Sequence, residues 1–516
     1  MAIRTPAHVG PSASVPDTSG GAPESTFMPI VSRVEAPIDA RELRRLQAIA
    51  ACMVKNEPGL SATDRFRIRA GAGPSTHPRL VIGDGSEIAL TKDHESAAYQ
   101  YRLSLLARQG DLVAFDGDPH PDFERYRLEY VGDGPILALS PGRVAGTHRC
   151  PLADRCRLDR AVFSQIAEAT RRNGGLTIVP HIGLGSPWRL ARAVAEATGL
   201  DVDVMSSPPR LTRRVNNKLW FARLVPNILG DDAIPPTYSA GDVATLARNI
   251  RTLARKGERV VVKVPDSSGG AGNICLSARD LADVPLAEVG DRIRELLRAV
   301  GWRDRYPLLV GLWEAPALSS PSVQLWIPSI ADGPPIIEGL FEQVLEGPDG
   351  LFIGSIPAQL PKPWQSRLAE EAMRLATVLQ LLGYFGRCSF DSLLIGPSYA
   401  SSTLHWIECN GRWGGISLPM TIVNRLKRGA AEFIVVERTD DRRPRWSFAD
   451  TIQALGNLLF RSGVRHEGIV LLSPVEIESG RGVQMLAVAE KTADASALAD
   501  RALEILWGTP SSRLAG

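Results

Sequence analysis

Residues Ser389–Gly415, SFDSLLIGPSYASSTLHWIECNGRWGG, decide the fold. They read as two strands, Ser389 to Ile395 and Thr403 to Asn410, joined through a Gly396-Pro397-Ser398 turn signal. The second strand alternates. A period of two puts Leu404, Trp406, Glu408 and Asn410 on one face and His405, Ile407 and Cys409 on the other. An antiparallel partner brings Asp391 opposite Glu408 and Asn410. Two carboxylates and an amide oxygen then converge, with Arg412 and the flexible Gly411, Gly414 and Gly415 beside them. Hard oxygen ligands of this kind suit Mg²⁺, which takes one or two carboxylates and completes its shell with phosphate and water. Alone, E-x-N-x-R also fits a solvated hairpin face.

Working upstream, Val260 to Val264 is a β-branched strand with Lys263 inside it, and Asp266 to Asn273 (DSSGGAGN) is a small, glycine-rich loop. Backbone amides in such a loop can approach a phosphate closely. No Gly-Lys-Ser/Thr follows, so it is not a Walker loop, and a plain hairpin is the competing reading. Val215 to Val225 (VNNKLWFARLV) opens a unit with Asn216 as a helix cap and Lys218 in the first turn, the helix running out toward Pro226. Asp242 to Lys256 is amphipathic and ends at Gly257.

Further upstream, the short apolar runs RLVIG (Arg79 to Gly83), DLVAF (Asp111 to Phe115), PILALS (Pro135 to Ser140) and LTIVP (Leu176 to Pro180) alternate with helical stretches. That pattern predicts a sheet with helices on its faces. Gly183-x-Gly185 after the last run is half of a dinucleotide fingerprint, with Trp188 where the third glycine belongs. A tight turn is the plainer reading. Ala40 to Lys55 is a helix capped by Asp39, and the Pro/Ser/Gly-rich residues before it read as a disordered tail. Beyond Phe448, the runs Gly468 to Ser473 and Val483 to Ala489 and the helix Ala495 to Trp507 form an α+β tail-piece.

Composition sets limits. The chain has 516 residues, 44% hydrophobic, with 59 basic against 57 acidic residues and a net charge of +2. Nothing in that balance favours nucleic acid or an anionic membrane as partner. Six scattered cysteines form no disulfide framework, and His148, Cys150 and Cys156 lack the second ligand pair a zinc site needs. There is no apolar run of membrane-spanning length and no signal-peptide pattern at the N-terminus, so the expected location is cytoplasmic.

Taken in order, these pieces resemble the ATP-grasp superfamily of carboxylate–amine ligases over roughly Val215 to Asn424. The matches are Lys218 before Ile234-Pro235-Pro236, Lys263 before S-S-G-G-A-G, the strand Leu308 to Trp313, and Asp391 before E-C-N-G-R. The resemblance implies an α/β (α+β) protein: an ATP-grasp fold preceded by a Rossmann-like pre-ATP-grasp domain, with a small C-terminal α+β extension. The implied layout is a tail over 1–35, the N-terminal helix and pre-ATP-grasp domain over 36–210, the ATP-grasp domain over 211–430 and the extension over 431–516. The overall arrangement is similar to that of peptide ligases of antibiotic biosynthesis, the pheganomycin type in particular.

By the same resemblance, ATP is held by Lys218 and Lys263, and the loop residues Ser268, Gly269, Gly270 and Gly272 close over its β- and γ-phosphates. Asp391, Glu408 and Asn410 hold Mg²⁺, two ions by the family pattern, with Mn²⁺ as an alternative. Arg412 and Lys263 act in catalysis, Arg412 facing an acyl phosphate or substrate carboxylate. Leu308 to Trp313 serves as the adenine hinge. Many members carry a glutamate pair there; here Gly311 stands near the first position and Glu314 comes slightly late, leaving Glu314 either a ribose contact or a solvated loop carboxylate. The implied partners are a small-molecule carboxylate and an amine or peptide, with a homodimer common in the family. An ATP-grasp kinase, a non-catalytic nucleotide-binding module and a dinucleotide oxidoreductase are the competing functions.

Overall fold

The computed structural model describes residues 34–60, 77–91, 93–132, 134–143, 150–281, 283–314, 317–426, 432–439 and 446–507. His148 and nearly all of the tail expected over 1–35 lie outside them. The described chain already docks at Val34, which forms an antiparallel bridge to Ile337. The helix Ala40–Asn56 follows, with the Asp39 carboxylate accepting from the amides of Arg41 and Glu42.

Buried apolar runs build the first sheet. Strands β1 (Arg79–Ile82), β2 (Leu112–Ala114), β3 (Leu137–Leu139), β4 (Leu176–Pro180) and β5 (Val202–Val204) are all parallel, in the order β3-β2-β1-β4-β5. Helices cover the sheet, which is why β1, β2 and β4 read as continuous hydrophobic runs rather than alternating ones. After β4, the Gly183-x-Gly185 turn has a packing explanation. A Cβ on Gly183 would sit 1.7 Å from the Ser206 hydroxyl oxygen. Trp188, in place of a third glycine, fills the core beneath.

The second sheet is antiparallel: β6 (Thr237–Ala240), β7 (Arg259–Lys263), β8 (Asn273–Ser277) and β9 (Leu308–Leu312), in the order β6-β9-β7-β8. Val260 and Val262 pack on the helices Val243–Ala254 and Leu286–Ala299, forming a small core of their own. The glycine-rich loop is the β7–β8 connection.

The third sheet has nine strands: β10 (Ala317–Ser319), β11 (Pro321–Ile327), β12 (Ile336–Glu346), β13 (Leu351–Pro357), β14 (Gly386–Ile395), β15 (Thr403–Asn410), β16 (Glu432–Thr439), β17 (Gly468–Leu471) and β18 (Gly482–Ala489). Their order is β10-β14-β11-β12-β13-β16-β18-β17, with β15 added on β14. The strands β16 to β18 are therefore hydrogen-bonded into the same sheet as the β14–β15 hairpin. Against that hairpin packs the helix Lys218–Leu229, its Phe221 ring stacked on Phe390 at 5.9 Å.

Two local expectations change at this helix. Its cap is Asn217, which accepts from the Trp220 amide, rather than Asn216; Asn216 ends the preceding helix. The helix also passes Pro226 and runs to Leu229. Ile228 beyond the proline is buried in the shared core, and that burial outweighs the one backbone bond a helical proline forfeits.

Candidate nucleotide and metal site

The hairpin β14–β15 forms the floor. Its antiparallel register puts Asp391 directly opposite Glu408 and Ser389 opposite Asn410. Between Asp391 and Ser392 the register slips: Ser392 pairs with Trp406, leaving Ile407 as an extra residue in β15. This is a β-bulge, which reverses the side-chain parity of a strand. Leu404 and Trp406 therefore enter the same core as Cys409, while Glu408 and Asn410 stay outside that core. The uniform alternation expected along β15 does not hold across the bulge. What survives is the local pairing of Glu408 with Asn410.

Polar side chains fix this cluster. Asp391 accepts from the Ser322 hydroxyl at 2.6 Å and from the Asn410 amide at 3.0 Å, and the same amide lies 3.4 Å from Glu408 Oε1. Gln324 donates to the Ser322 oxygen at 2.8 Å, so a line of polar contacts runs Gln324–Ser322–Asp391–Asn410, its first two members buried. Ser322 and Gln324 were not picked out from sequence. The signal was there, in two polar residues at a spacing of two inside the strand PSVQLWI. Burial, and then the Glu408 charge, raise the Asp391 carboxyl above its ordinary range. Burial opposes ionisation of Glu408 as well, but Lys218, Lys263 and Arg412 outweigh it and hold Glu408 well below the usual carboxylate value. Two carboxylates and an amide, one of them kept anionic by three cations, suit a hard divalent cation such as Mg²⁺. Among the described residues, no three His, Cys, Asp or Glu side chains gather as a metal cluster.

Lys218 spans floor and loop. Its Nζ lies 2.9 Å from Glu408 Oε2 and donates to the Ser267 carbonyl at 2.9 Å. Asn217 donates to the Asp266 carboxylate at 2.8 Å, tying the same helix start to the same loop. Burial lowers the Lys263 pKa, with Glu408 pulling the other way and Lys218 adding to the depression. An anion arriving between the two lysines would reverse that.

The loop itself is wound tightly. Val264 donates to the Gly272 carbonyl, Ala271 to that of Ser268 and Asn273 to that of Gly270. Gly269 and Gly270 adopt positive φ of 58° and 69°. A Cβ on Gly272 would lie 2.7 Å from Ser267 Oγ. The Ser268 amide is already engaged, donating to the Leu90 carbonyl at 3.0 Å. Among the described residues, the Gly269, Gly270 and Gly272 amides donate to no backbone carbonyl, so these three can face a phosphate.

Arg412 leaves the floor on the other side. It donates to the Asn216 side-chain oxygen at 2.5 Å, and Asn216 donates in turn to the Gly411 carbonyl at 3.1 Å. Beside Arg412 a small, partly open pocket lies between the turn after β4 and the residues Tyr384 to Arg387. Arg387 is buried in its wall, ion-paired with Glu338 and held between the rings of Trp326 and Trp413 at 5.3 and 5.1 Å. His181 closes the side nearest the parallel sheet: its Nε2 is 3.0 Å from the Trp413 carbonyl, and its ring stacks on Tyr99 at 3.9 Å. Burial, reinforced by the Arg412 charge, pushes the His181 imidazole down to about 3, against two nearby carbonyls that favour protonation.

At the hinge, Trp313 extends β9, its amide donating to the Arg259 carbonyl and its ring under the Arg259 guanidinium at 5.7 Å. Glu314 is not a solvated loop carboxylate. Its Oε2 is 2.6 Å from His405 Nδ1, with both side chains largely buried. His405, which the alternation places only on a strand face, fastens the hinge to β15.

A match to the family described as the pre-ATP-grasp domain covers residues 100–196. The chain also superposes on biotin carboxylase from Campylobacter jejuni in complex with β,γ-ATP. The TM-score is 0.51 and the identity 14%, over 83% of this chain and 91% of that one. The fold is ATP-grasp. An ADP complex of N5-carboxyaminoimidazole ribonucleotide synthetase shares the ATP-grasp fold with a TM-score of 0.50 at 14% identity, over 86% of this chain and 98% of that one. Pyruvate carboxylase from Rhizobium etli does so over 83% of this chain and 37% of its own length, at TM-score 0.50 and 14% identity. No curated protein matches the chain in sequence. Among the described residues, no helix is long and apolar enough to cross a membrane.

Proposed function

We propose that this protein is an ATP-dependent ligase that joins a carboxylate to an amine through an acyl phosphate. One observation carries the reading. Asp391, Glu408 and Asn410 converge on the floor, and Lys218 joins that cluster directly to the glycine-rich loop. A site of this kind suits metal-bound polyphosphate. In it a substrate carboxylate oxygen attacks the γ-phosphorus of ATP and the bond to ADP breaks. An amine then attacks the acyl carbon and expels phosphate, the amine proton passing to solvent.

Asp391, Glu408 and Asn410 would hold Mg²⁺, which when bound neutralises phosphate charge. Lys263 and Lys218 serve the phosphates, Arg412 holds the acid in the adjoining cavity, and the loop keeps water from the intermediate. The N-terminal parallel sheet and the C-terminal strands frame this centre, with domain limits near 210 and 430. The finer assignment is a peptide ligase of natural-product biosynthesis, cytoplasmic and acting on amino acids or peptides, with a homodimer as its assembly. What supports the peptide-ligase part is the overall arrangement of the chain.

The test is a hydroxylamine trap. Protein, Mg²⁺-ATP and hydroxylamine are incubated with a panel of amino acids, peptides and other acids, and ADP and hydroxamate are measured together. Acid-dependent formation of both is expected. ADP with a phosphorylated acceptor and no hydroxamate would replace the ligase by a kinase.

A further inference from the structure

Between β1 and the helix Asp93–Ser104, the chain from Gly83 to Thr91 crosses from one body of the molecule to another. Its first half belongs to the parallel-sheet domain. Asp84 accepts from the Leu152 amide at 2.7 Å, Glu87 accepts from the amide and hydroxyl of Ser186 at 3.0 and 2.6 Å, and Ile88 packs with Ile182 and Leu184. Two residues later the allegiance changes. The Leu90 side chain is buried in the core of the β6–β9 sheet, with Val260, Val262, Val264 and Trp302. Its backbone pairs with the glycine-rich loop: Leu90 donates to the Asp266 carbonyl at 3.3 Å, accepts from the Ser268 amide at 3.0 Å, and forms a parallel bridge to Ser267.

The loop is thereby gripped from two sides. Lys218 and Asn217 hold residues 266 and 267 from the helix start, and Leu90 holds residues 266 to 268 from the N-terminal domain. Beyond Ser268, the amides of Gly269, Gly270 and Gly272 donate to no backbone carbonyl among the described residues. A loop between two strands of a small sheet would otherwise set its own geometry. Here its first half is fixed by a segment anchored elsewhere.

We propose that Leu90 is a positioning residue for the glycine-rich loop: the segment 84–91 is a strap by which the N-terminal domain seats the loop over nucleotide phosphate. The nucleotide part of this inference rests on the function proposed above, while the strap itself does not. Opening the loop then requires both backbone bonds to break and the Leu90 side chain to leave the β6–β9 core.

The test compares the full-length protein with Leu90→Ala and Leu90→Met. Amide hydrogen exchange without nucleotide should rise about tenfold or more in the peptide spanning 264–275 for Leu90→Ala, while β1 and β14 keep their protection. MgATP affinity, by equilibrium titration, should fall about tenfold, whereas affinity for AMP, which has no β- or γ-phosphate, should be unchanged. Leu90→Met, which refills the site, should restore both. Unchanged loop exchange in a folded Leu90→Ala protein overturns the strap, and so does exchange that rises equally in β1 and β14, since Leu90 would then be ordinary core. Equal weakening of MgATP and AMP overturns the phosphate-positioning role. A wild-type protein that binds no MgATP defeats the nucleotide reading instead, with the exchange result still deciding the strap.

Discussion

The floor of the site and the loop above it are built on opposite principles. The floor comes from one hairpin. Asp391, Glu408 and Asn410 lie within 20 residues of one another; the β14–β15 register brings them together, and Ser322 of the neighbouring strand β11 bonds Asp391 within the same sheet. The loop is also short in sequence, yet its geometry depends on Lys218 and Asn217 from one distant helix and on Leu90 from another domain. Most of the floor's geometry is set within one sheet, with Lys218 its tie to a distant helix. A loop pinned from elsewhere can couple nucleotide binding to the positions of its anchors.

Breaking the floor should have the largest effect. Glu408→Ala removes both the proposed Mg²⁺ ligand and the partner of the Lys218 ammonium, and should cut Mg²⁺-dependent ATP turnover by about 10³-fold or more. Steady-state ADP release across a Mg²⁺ titration checks this, and an unchanged titration removes Glu408 from the floor. Lys263→Ala should come next, a loss of about 10²- to 10³-fold in turnover with the fold retained by circular dichroism. Near-normal turnover would leave the phosphate role to Lys218 alone.

The hinge sharpens the comparison, because the pair of Glu314 and His405 joins lid-side and floor-side elements across 91 positions. Glu314→Gln should weaken ATP about tenfold, roughly 1.4 kcal/mol, and abolish any preference for ATP over its 2′-deoxy analogue. Competitive titration of the two nucleotides reads this out. A preference that persists assigns the ribose elsewhere.

A last prediction concerns stability rather than activity. His181, at the seam between the parallel sheet and Trp413, has a native pKa of about 3 against an ordinary value of 6.5. The unfolded chain therefore binds more protons between those values, and stability falls as pH drops from 6.5 toward 3. Replacing it, as in His181→Gln, should flatten that slope by about 2 kcal/mol between pH 6.5 and 4.5, measured from urea midpoints. An unaltered slope would mean that another group dominates acid unfolding.

The same contrast governs what could be read in the sequence. Parallel strands β1, β2 and β4 announce themselves as buried apolar runs, and the pairing of Asp391 with Glu408 follows from one turn and a period of two. The bulge at Ile407 does not announce itself, because one inserted residue leaves the apolar and polar letters in place and changes only the face they occupy. Ser322 and Gln324 were legible as a polar pair in an apolar strand, though their partner Asp391 is 69 positions from Ser322. Asn216 and Asn217 are adjacent and chemically identical, so only the backbone turn decides which one caps the helix and which one holds Arg412. Leu90 carries no signal at all. It is one leucine in a loop, and its role exists only once three segments are folded together.

The central claim is that a carboxylate is activated as an acyl phosphate. Once the hydroxylamine screen has named an acid, that acid can be labelled with ¹⁸O in its carboxylate and turned over with Mg²⁺-ATP and an amine. The account predicts one ¹⁸O atom in each phosphate released, because the oxygen that attacked the γ-phosphorus leaves with it. Unlabelled phosphate, with both ¹⁸O atoms still on the acid or its product, would contradict it.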